Sequence, residues 1–292
     1  MQLDIFADSR DVMLRYDVIA AIEARQAQPA QLALAKLEGE YPQDRLLTAL
    51  NTLVHSLAFP PGRFANSAAA LVAREHLATA IQAAAAQLMA PAQARPWIAQ
   101  AWRLLAQAAA GLGYAPDAPQ AHSAPSFLRA GDWADAETAV MAIASWRRIP
   151  LPLAWMAEAR LGREGFAAAL PFLCELAWMA PAAFAELVGR LKEPRLKALL
   201  YEFDAEFEND LEYDTDPDQA WFPAWCLLKE PSLAPLLRQT EPGQGKKPER
   251  AARLILDLLS LEQKGSQPVL LAQRKKLRGL HAGLFARYMR TR

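Results

Sequence analysis

The sequence is short of cysteine, glycine and strand-forming runs, and each shortage excludes a class of protein. It has two cysteines and 13 glycines in 292 residues, and runs of Val, Ile and Thr are almost absent. Two cysteines do not build a disulfide framework, so we expect Cys174 and Cys226 to be buried thiols in a reducing cytoplasm. Because Ala and Leu dominate a composition that is 53% hydrophobic, we predict an all-helical protein with a sizeable core.

Long hydrophobic runs are missing as well. No apolar run reaches the roughly 18–20 residues that span a bilayer, and the longest alanine-rich stretch is interrupted by Gln82 and Gln87. The first residues, MQLDIF, lack the basic start and apolar run of a signal peptide. We therefore expect a cytoplasmic protein that does not associate with a membrane.

The net charge is zero, which argues against nucleic acid as a general partner. The total hides an asymmetry, because residues 201–242 hold 11 acids and 2 bases, whereas residues 243–292 hold 12 bases and 3 acids. Either the basic C-terminal helices neutralise the acidic stretch, or each attracts a partner of opposite charge. Binding of nucleic acid by the basic run 274–278 is disfavoured, because such a run is usually a solvated helix face.

Proline and glycine place the breaks between the predicted helices. We predict a first helix over 8–25, an alanine-rich helix from Asn66 or Ser67 to about residue 89, and a helix from Pro96 to residue 111. We expect Pro150 and Pro152 to end a helix. We interpret residues 113–125 as a linker or as a loop between repeat pairs, and residues 241–248 as a second linker. The predicted apolar face of the first helix consists of Val12, Tyr16, Ile19 and Ile22.

Three segments repeat one helical pattern that closes with proline. A small residue is followed four positions later by a large apolar residue and three positions after that by another. The small residue lets two helices approach closely, and the larger ones fill the groove between them. The last two segments are 33 residues apart. The segments are Ala30, Leu34, Leu37 with Pro42; Ala136, Val140, Ile143 with Pro150, which comes two residues late; and Ala169, Leu173, Leu176 with Pro181.

This pattern resembles the second helix of the tetratricopeptide repeat, whose period is about 34 residues. The family's first-helix pattern of Trp, Leu, Gly and Tyr is not matched cleanly in any unit. The resemblance implies a right-handed solenoid of helical hairpins with a concave groove for a protein or peptide, and it implies no chemistry. We predict N-terminal hairpins over 1–120, central repeats over 121–200, and a divergent helical region with an acidic loop and basic helices over 201–292.

The sequence offers little for catalysis, a metal or a cofactor, and we predict none of the three. The four histidines are scattered, and the nucleophile elbow, Walker loop and dinucleotide fingerprint are absent. Asp214, Asp216 and Asp218 are spaced like the start of a calcium loop, but Gln219 and Trp225 stand where that loop needs Gly and Glu. An enzyme of unrecognised type remains the alternative.

Two groups of residues are candidates for binding a partner. Gln2, Leu3, Ile5 and Phe6 resemble the peptide that binds the bacterial DNA sliding clamp, which implies a replication or repair accessory; alternatively, they cap the core of the first hairpin. The second group is Arg147, Arg148 and Arg160, which could grip an acidic group beside Trp146 and Trp155. Alternatively, these arginines pair with nearby acids of the chain. We favour a non-catalytic scaffold or adaptor for a protein partner.

Overall fold

The computed structural model describes residues 7–207, 218–264 and 267–291, and these residues form helices joined by turns and loops, without a strand. A π turn, Leu77–Ile81, joins the fourth helix to the fifth, and 3₁₀ turns occupy Pro119–Ala121, Trp146–Arg148 and Pro231–Leu233. The helices are α1 Ala7–Glu23, α2 Ala27–Glu40, α3 Leu47–Ala58, α4 Ser67–His76, α5 Gln82–Leu88, α6 Pro91–Ala109, α7 Ser123–Ala130, α8 Trp133–Met141, α9 Pro150–Glu164, α10 Phe166–Met179, α11 Pro181–Arg190, α12 Pro194–Glu206, α13 Asp218–Lys229, α14 Ala234–Leu237, α15 Lys247–Lys264, α16 Gln267–Leu280 and α17 Ala282–Arg290. Among the described helices, none has the combination of length and apolarity that crossing a membrane requires.

The chain divides into two compact units, Met1–Ala139 and Val140–Arg292. Each unit encloses a large hydrophobic cluster: one contains Leu50 and Trp102, and the other contains Leu173 and Trp225. Consecutive helices pack against each other in both units, as α1 does on α2 and α9 on α10. The division of the chain into 1–120, 121–200 and 201–292 stays a prediction.

The repeat positions predicted from the sequence face the cores. Ala30, Leu34 and Leu37 of α2 are buried, and so are Ala169 and its two partners in α10. A helix also ends at Gly131, which adopts a left-handed conformation (φ 78°) after α7. Ala136, Val140 and Ile143 are buried as well. Small and apolar residues at helical spacing therefore identified the packed faces correctly.

The predicted apolar face of α1 is wrong in part. The helix carries two apolar rows, and the row that packs on the core contains Leu14, Val18 and Ile22. Val12 and Tyr16 lie on the opposite side and are exposed. Periodicity alone does not say which of two rows faces the protein, because that choice depends on the partner helix.

Pro150 and Pro96 occupy helix positions other than those we predicted. Pro150 is the first residue of α9, where the missing N–H costs nothing, because the first four N–H groups of a helix have no intrahelical acceptor. The helix predicted to start at Pro96 starts at Pro91 and contains Pro96. In contrast, the predicted start of the alanine-rich helix is confirmed: the Asn66 side chain accepts a hydrogen bond from the Ala69 N–H at 2.9 Å.

The first predicted linker, 113–125, is half-buried or exposed over 113–120 and buried only over its last residues, and the second is held by side chains. Residues 121–128 are buried, and most of them belong to α7. The other segment, 241–248, is bound to side chains of α10 and α15 through contacts that are described below. Both segments were interpreted as linkers because they are rich in small residues and proline. The same composition suits a loop whose backbone packs closely against side chains of neighbouring helices.

Candidate functional site

Arg147 and Arg148 lie in the 3₁₀ turn that precedes α9, and their side chains bind acids of their own unit. The Arg147 guanidinium forms two parallel hydrogen bonds with the Glu175 carboxylate, Nε to Oε2 at 2.8 Å and Nη2 to Oε1 at 2.6 Å. Its Nη1 donates to Glu241 at 3.0 Å. Hydrogen bonding to Glu175 raises the pKa of Arg147, so the bidentate pair stays charged.

The turn is tied to the segment that follows α14. Arg148 donates to the Pro242 carbonyl at 2.5 Å, and the Glu241 N–H donates to Glu175 at 2.7 Å. The Arg147 guanidinium also stands 6.0 Å from the centre of the Trp146 ring, at the outer limit of a cation–π contact. Trp155 is buried in the core.

A second carboxylate, Glu249, organises the same segment. Its oxygens accept from the Gly243 and Gly245 N–H groups at 2.7 and 2.8 Å, and from Arg253. Burial alone would raise the pKa of Glu249, but these hydrogen bonds hold it below its ordinary value. Gly245 has φ +67°, a left-handed conformation that glycine adopts without cost.

These groups line a cleft of about 290 Å³ in which the charges of both signs are balanced. Arg147, Arg148 and Lys246 face Glu175, Glu241 and Glu249. Because Arg147 is bound by two carboxylates of the chain, the cleft holds the 239–249 segment in place. Arg160 is not part of this arrangement, since it lies near the end of α9 and pairs with Glu164 at 3.1 Å. The role of the three arginines toward a partner stays a prediction.

A larger cleft, about 560 Å³, lies in the Met1–Ala139 unit and was not predicted from the sequence. Its walls come from the end of α3, the segment that follows it, the π turn and α6. Apolar side chains dominate the lining, which also contains five polar residues: Arg25, His55, Ser56, His76 and Gln100. The apolar lining residues are Leu57, Phe59, Pro60, Pro61, Phe64, Ala73, Leu77, Ile81, Trp97, Ala101, Leu104 and Leu105.

Arg25 is fixed at this cleft by an uncommon backbone conformation. It has φ 56° and lies two residues after the last residue of α1, at the position where helices often have glycine. Its Nη2 donates to the Trp97 carbonyl at 2.6 Å, and its guanidinium lies 5.1 Å from the centre of the Trp97 ring. Burial and the Arg103 cation lower the pKa of Arg25. The Trp97 indole in turn donates to the Ile22 carbonyl at 3.0 Å.

The π turn supplies two further walls of the cleft. Leu77 and Ile81, its first and last residues, are buried and line the cleft. A π turn inserts an extra residue into a helix and is often found at functional sites. The signal for this cleft was spread over the sequence at Arg25, residues 55–64 and residues 73–105, so no local motif could have revealed it.

A third feature is the outer face of α1. Val12, Met13 and Tyr16 are 55%, 65% and 70% exposed and lie side by side on the helix, opposite the buried row. Singly scattered exposed apolar residues are ordinary on protein surfaces, whereas these three are neighbours on one helix face. Residues 2–6, which contain the clamp-like peptide, precede this helix and lie outside the described residues, as do Asp214 and Asp216.

Both cysteines of the chain, Cys174 and Cys226, are buried free thiols. Burial raises the pKa of both Cys174 and Cys226, so their thiols are protonated and inert. Within the described ranges, no three His, Cys, Asp or Glu side chains lie close enough to share a metal ion. Arg287 of α17 pairs with Glu206 of α12, so at least one basic C-terminal residue neutralises the acidic stretch.

The chain matches no protein-family model, no curated protein and no solved structure.

Proposed function

We propose that the protein is a non-catalytic, cytoplasmic adaptor that binds a protein partner through the outer face of α1. The observation that carries this proposal is the contiguous exposed row of Val12, Met13 and Tyr16. Large apolar and aromatic side chains supply most of the binding energy in protein interfaces, and desolvating them is favourable. We further propose that the consecutive packing of α1 on α2 and of α9 on α10 belongs to a tetratricopeptide-like, right-handed solenoid.

A variant in which glutamine replaces all three exposed residues of α1 tests the proposal. Val12→Gln, Met13→Gln and Tyr16→Gln together should leave the free energy of unfolding nearly unchanged, because exposed substitutions usually change it by less than about 0.5 kcal/mol. Affinity capture from the native host, followed by mass spectrometry, should lose a partner that the wild type retains.

The matched control carries Leu32→Gln and Val72→Gln, which replace two apolar residues that are exposed elsewhere in the same unit. The control should retain the partner. Equal capture by wild type and the α1 variant would contradict the proposal.

The partner that we propose is the bacterial DNA sliding clamp, which would make the protein a replication or repair accessory. The observation that favours it is the position of Gln2, Leu3, Ile5 and Phe6 directly before the helix that carries the exposed row. A Gln amide can bind the edge of a pocket while three apolar side chains fill it, as the resemblance to clamp-binding peptides implies.

Deletion of residues 2–6 should abolish binding of the purified clamp in titration calorimetry and leave the thermal unfolding temperature unchanged. The α1 row variant provides the comparison, since it retains the motif and should bind the clamp more weakly than the wild type. Clamp binding that survives the deletion would rule out this partner, as would a deletion variant that no longer folds.

A further inference from the structure

We propose that the cleft between α3, the π turn and α6 binds a small apolar carboxylic acid, with Arg25 holding the carboxylate. The site is separate from the α1 face and does not depend on the function proposed above. Its volume of about 560 Å³ is in the range of pockets that enclose small ligands, and its lining is mostly apolar with a few polar groups, as such pockets usually are.

The charged residues of the lining determine which charge the ligand carries. Arg25 is the one lining residue that is charged at all working pH values, and the lining contains no Asp or Glu. Among the described residues, no carboxylate lies within ion-pair distance of Arg25, and the neighbouring Arg103 is already bound to Asp132 at 2.6 Å. A part-buried cation without a carboxylate is costly, and an incoming anion removes that cost.

The contacts of the Arg25 guanidinium leave most of its N–H groups available to a ligand. One of its five N–H groups is directed at the Trp97 carbonyl, and the ring of Trp97 supports the guanidinium plane. This arrangement fixes the head group and leaves other donors for a planar, bidentate acceptor, which a carboxylate provides. Because a single guanidinium is present, we infer a ligand with one negative charge.

The remainder of the cleft accepts the apolar part of the ligand. Leu77, Ile81 and Leu105 form buried wall, and Phe59 is 64% exposed at the margin. An alkyl or aryl body would cover these surfaces. Each CH₂ group that is removed from water contributes about 0.8 kcal/mol, which corresponds to about a fourfold tighter Kd.

Titration calorimetry of the full chain with decanoate, octanoate and 1-decanol tests the proposal. Decanoate should bind about 16-fold more tightly than octanoate, because it has two more CH₂ groups, and it should bind more tightly than 1-decanol. Arg25→Gln should weaken decanoate binding at least about tenfold, the loss of one charged hydrogen bond, and should leave 1-decanol unaffected. Arg45→Gln, at an exposed arginine that does not line the cleft, is the matched control and should bind decanoate like the wild type.

Two filling variants keep the test decisive if one of them does not fold. Ala101→Phe and Ala73→Phe each place a ring in the cleft and should abolish binding of both ligands, with helicity and unfolding temperature recorded in parallel. Decanoate that does not bind at millimolar concentration overturns the proposal. Equal affinity for decanoate and 1-decanol also overturns it and indicates an uncharged occupant, such as side chains of a protein. Self-association of the wild type that the filling variants abolish overturns it in favour of a second copy of the chain.

Discussion

Arg147 and Arg25 illustrate how the surroundings of an arginine determine what it can do. Arg147 has carboxylates on two sides, and hydrogen bonding to Glu175 raises its pKa. Arg25 has a carbonyl and a ring but no carboxylate, and burial lowers its pKa. The first arginine is therefore part of the protein's own structure, and the second is available to an anion. From the sequence we singled out Arg147 because it lies beside tryptophan, but Arg25 lies beside a tryptophan only in space.

Glu249 is a residue whose charge stabilises the fold over a definite range of pH. Burial opposes ionisation, but two backbone N–H groups and Arg253 favour the charged form more strongly, so the pKa lies below the ordinary value of 4.5. Such a group contributes stability above its unfolded-state pKa. That contribution is lost as the pH falls through the lower, folded-state pKa.

Glu249→Gln should therefore lower the free energy of unfolding at pH 7 by about 1–3 kcal/mol, because two backbone N–H groups and Arg253 lose a charged acceptor. At pH 3 the difference between wild type and variant should be much smaller, since the wild-type carboxylate is then largely protonated in the unfolded chain. Urea unfolding at the two pH values measures both effects. Glu186→Gln, at an exposed position of α11, is the control and should change little at either pH. An equal loss at pH 3 and pH 7 would show that the charge of Glu249 is irrelevant.

At the scale of the element, the turn from α9 to α10 depends on one glycine. Gly165 has φ 84° and ψ −171°, a region of backbone space that is open almost only to glycine. A Cβ at this position would meet no other atom within 4 Å. The requirement is thus conformational, and it sets the direction in which α10 leaves α9.

Gly165→Ala should lower the free energy of unfolding by about 1–3 kcal/mol because the alanine is strained in this conformation. Gly279→Ala, inside α16 and also without a close neighbour, should raise it by about 0.5 kcal/mol. Chemical denaturation of the two variants beside the wild type gives both values. A neutral Gly165→Ala would mean that the turn tolerates another conformation.

At the scale of the whole molecule, local periodicity in the sequence predicted which helix faces are buried. Features that depend on contacts between particular helices could not be predicted from it. Leu34 and Leu173 were correctly placed in cores, because a small residue and a large one at helical spacing identify a packed face. The exposed position of Tyr16 was missed, since α1 has two apolar rows and its packing on α2 and α3 selects the buried one. The apolar cleft was missed for the same reason, because its walls are contributed by four separate segments.

The structure shows how the acidic and basic stretches that make up the neutral net charge are arranged in the Val140–Arg292 unit. Glu206 pairs with both Lys229 and Arg287, so part of the opposition between the acidic and basic stretches is resolved within the Val140–Arg292 unit. In the described range 267–291 there are six bases and no acid, and of these Lys275, Lys276 and Arg278 are exposed on α16. The basic excess therefore stays on the surface of the last helices.

The bond between Arg147 and Glu241 joins residues that are 94 positions apart. Closing so long a loop costs conformational entropy. The packing of α9, α10 and α15 offsets that cost only once these helices are in contact. We therefore expect this contact to form late on the folding pathway, after the rate-limiting barrier. An interaction that is absent from the transition state does not hasten folding; it slows unfolding. The cluster of Arg147, Glu175 and Glu241 thus acts on how long the native unit persists once it has formed.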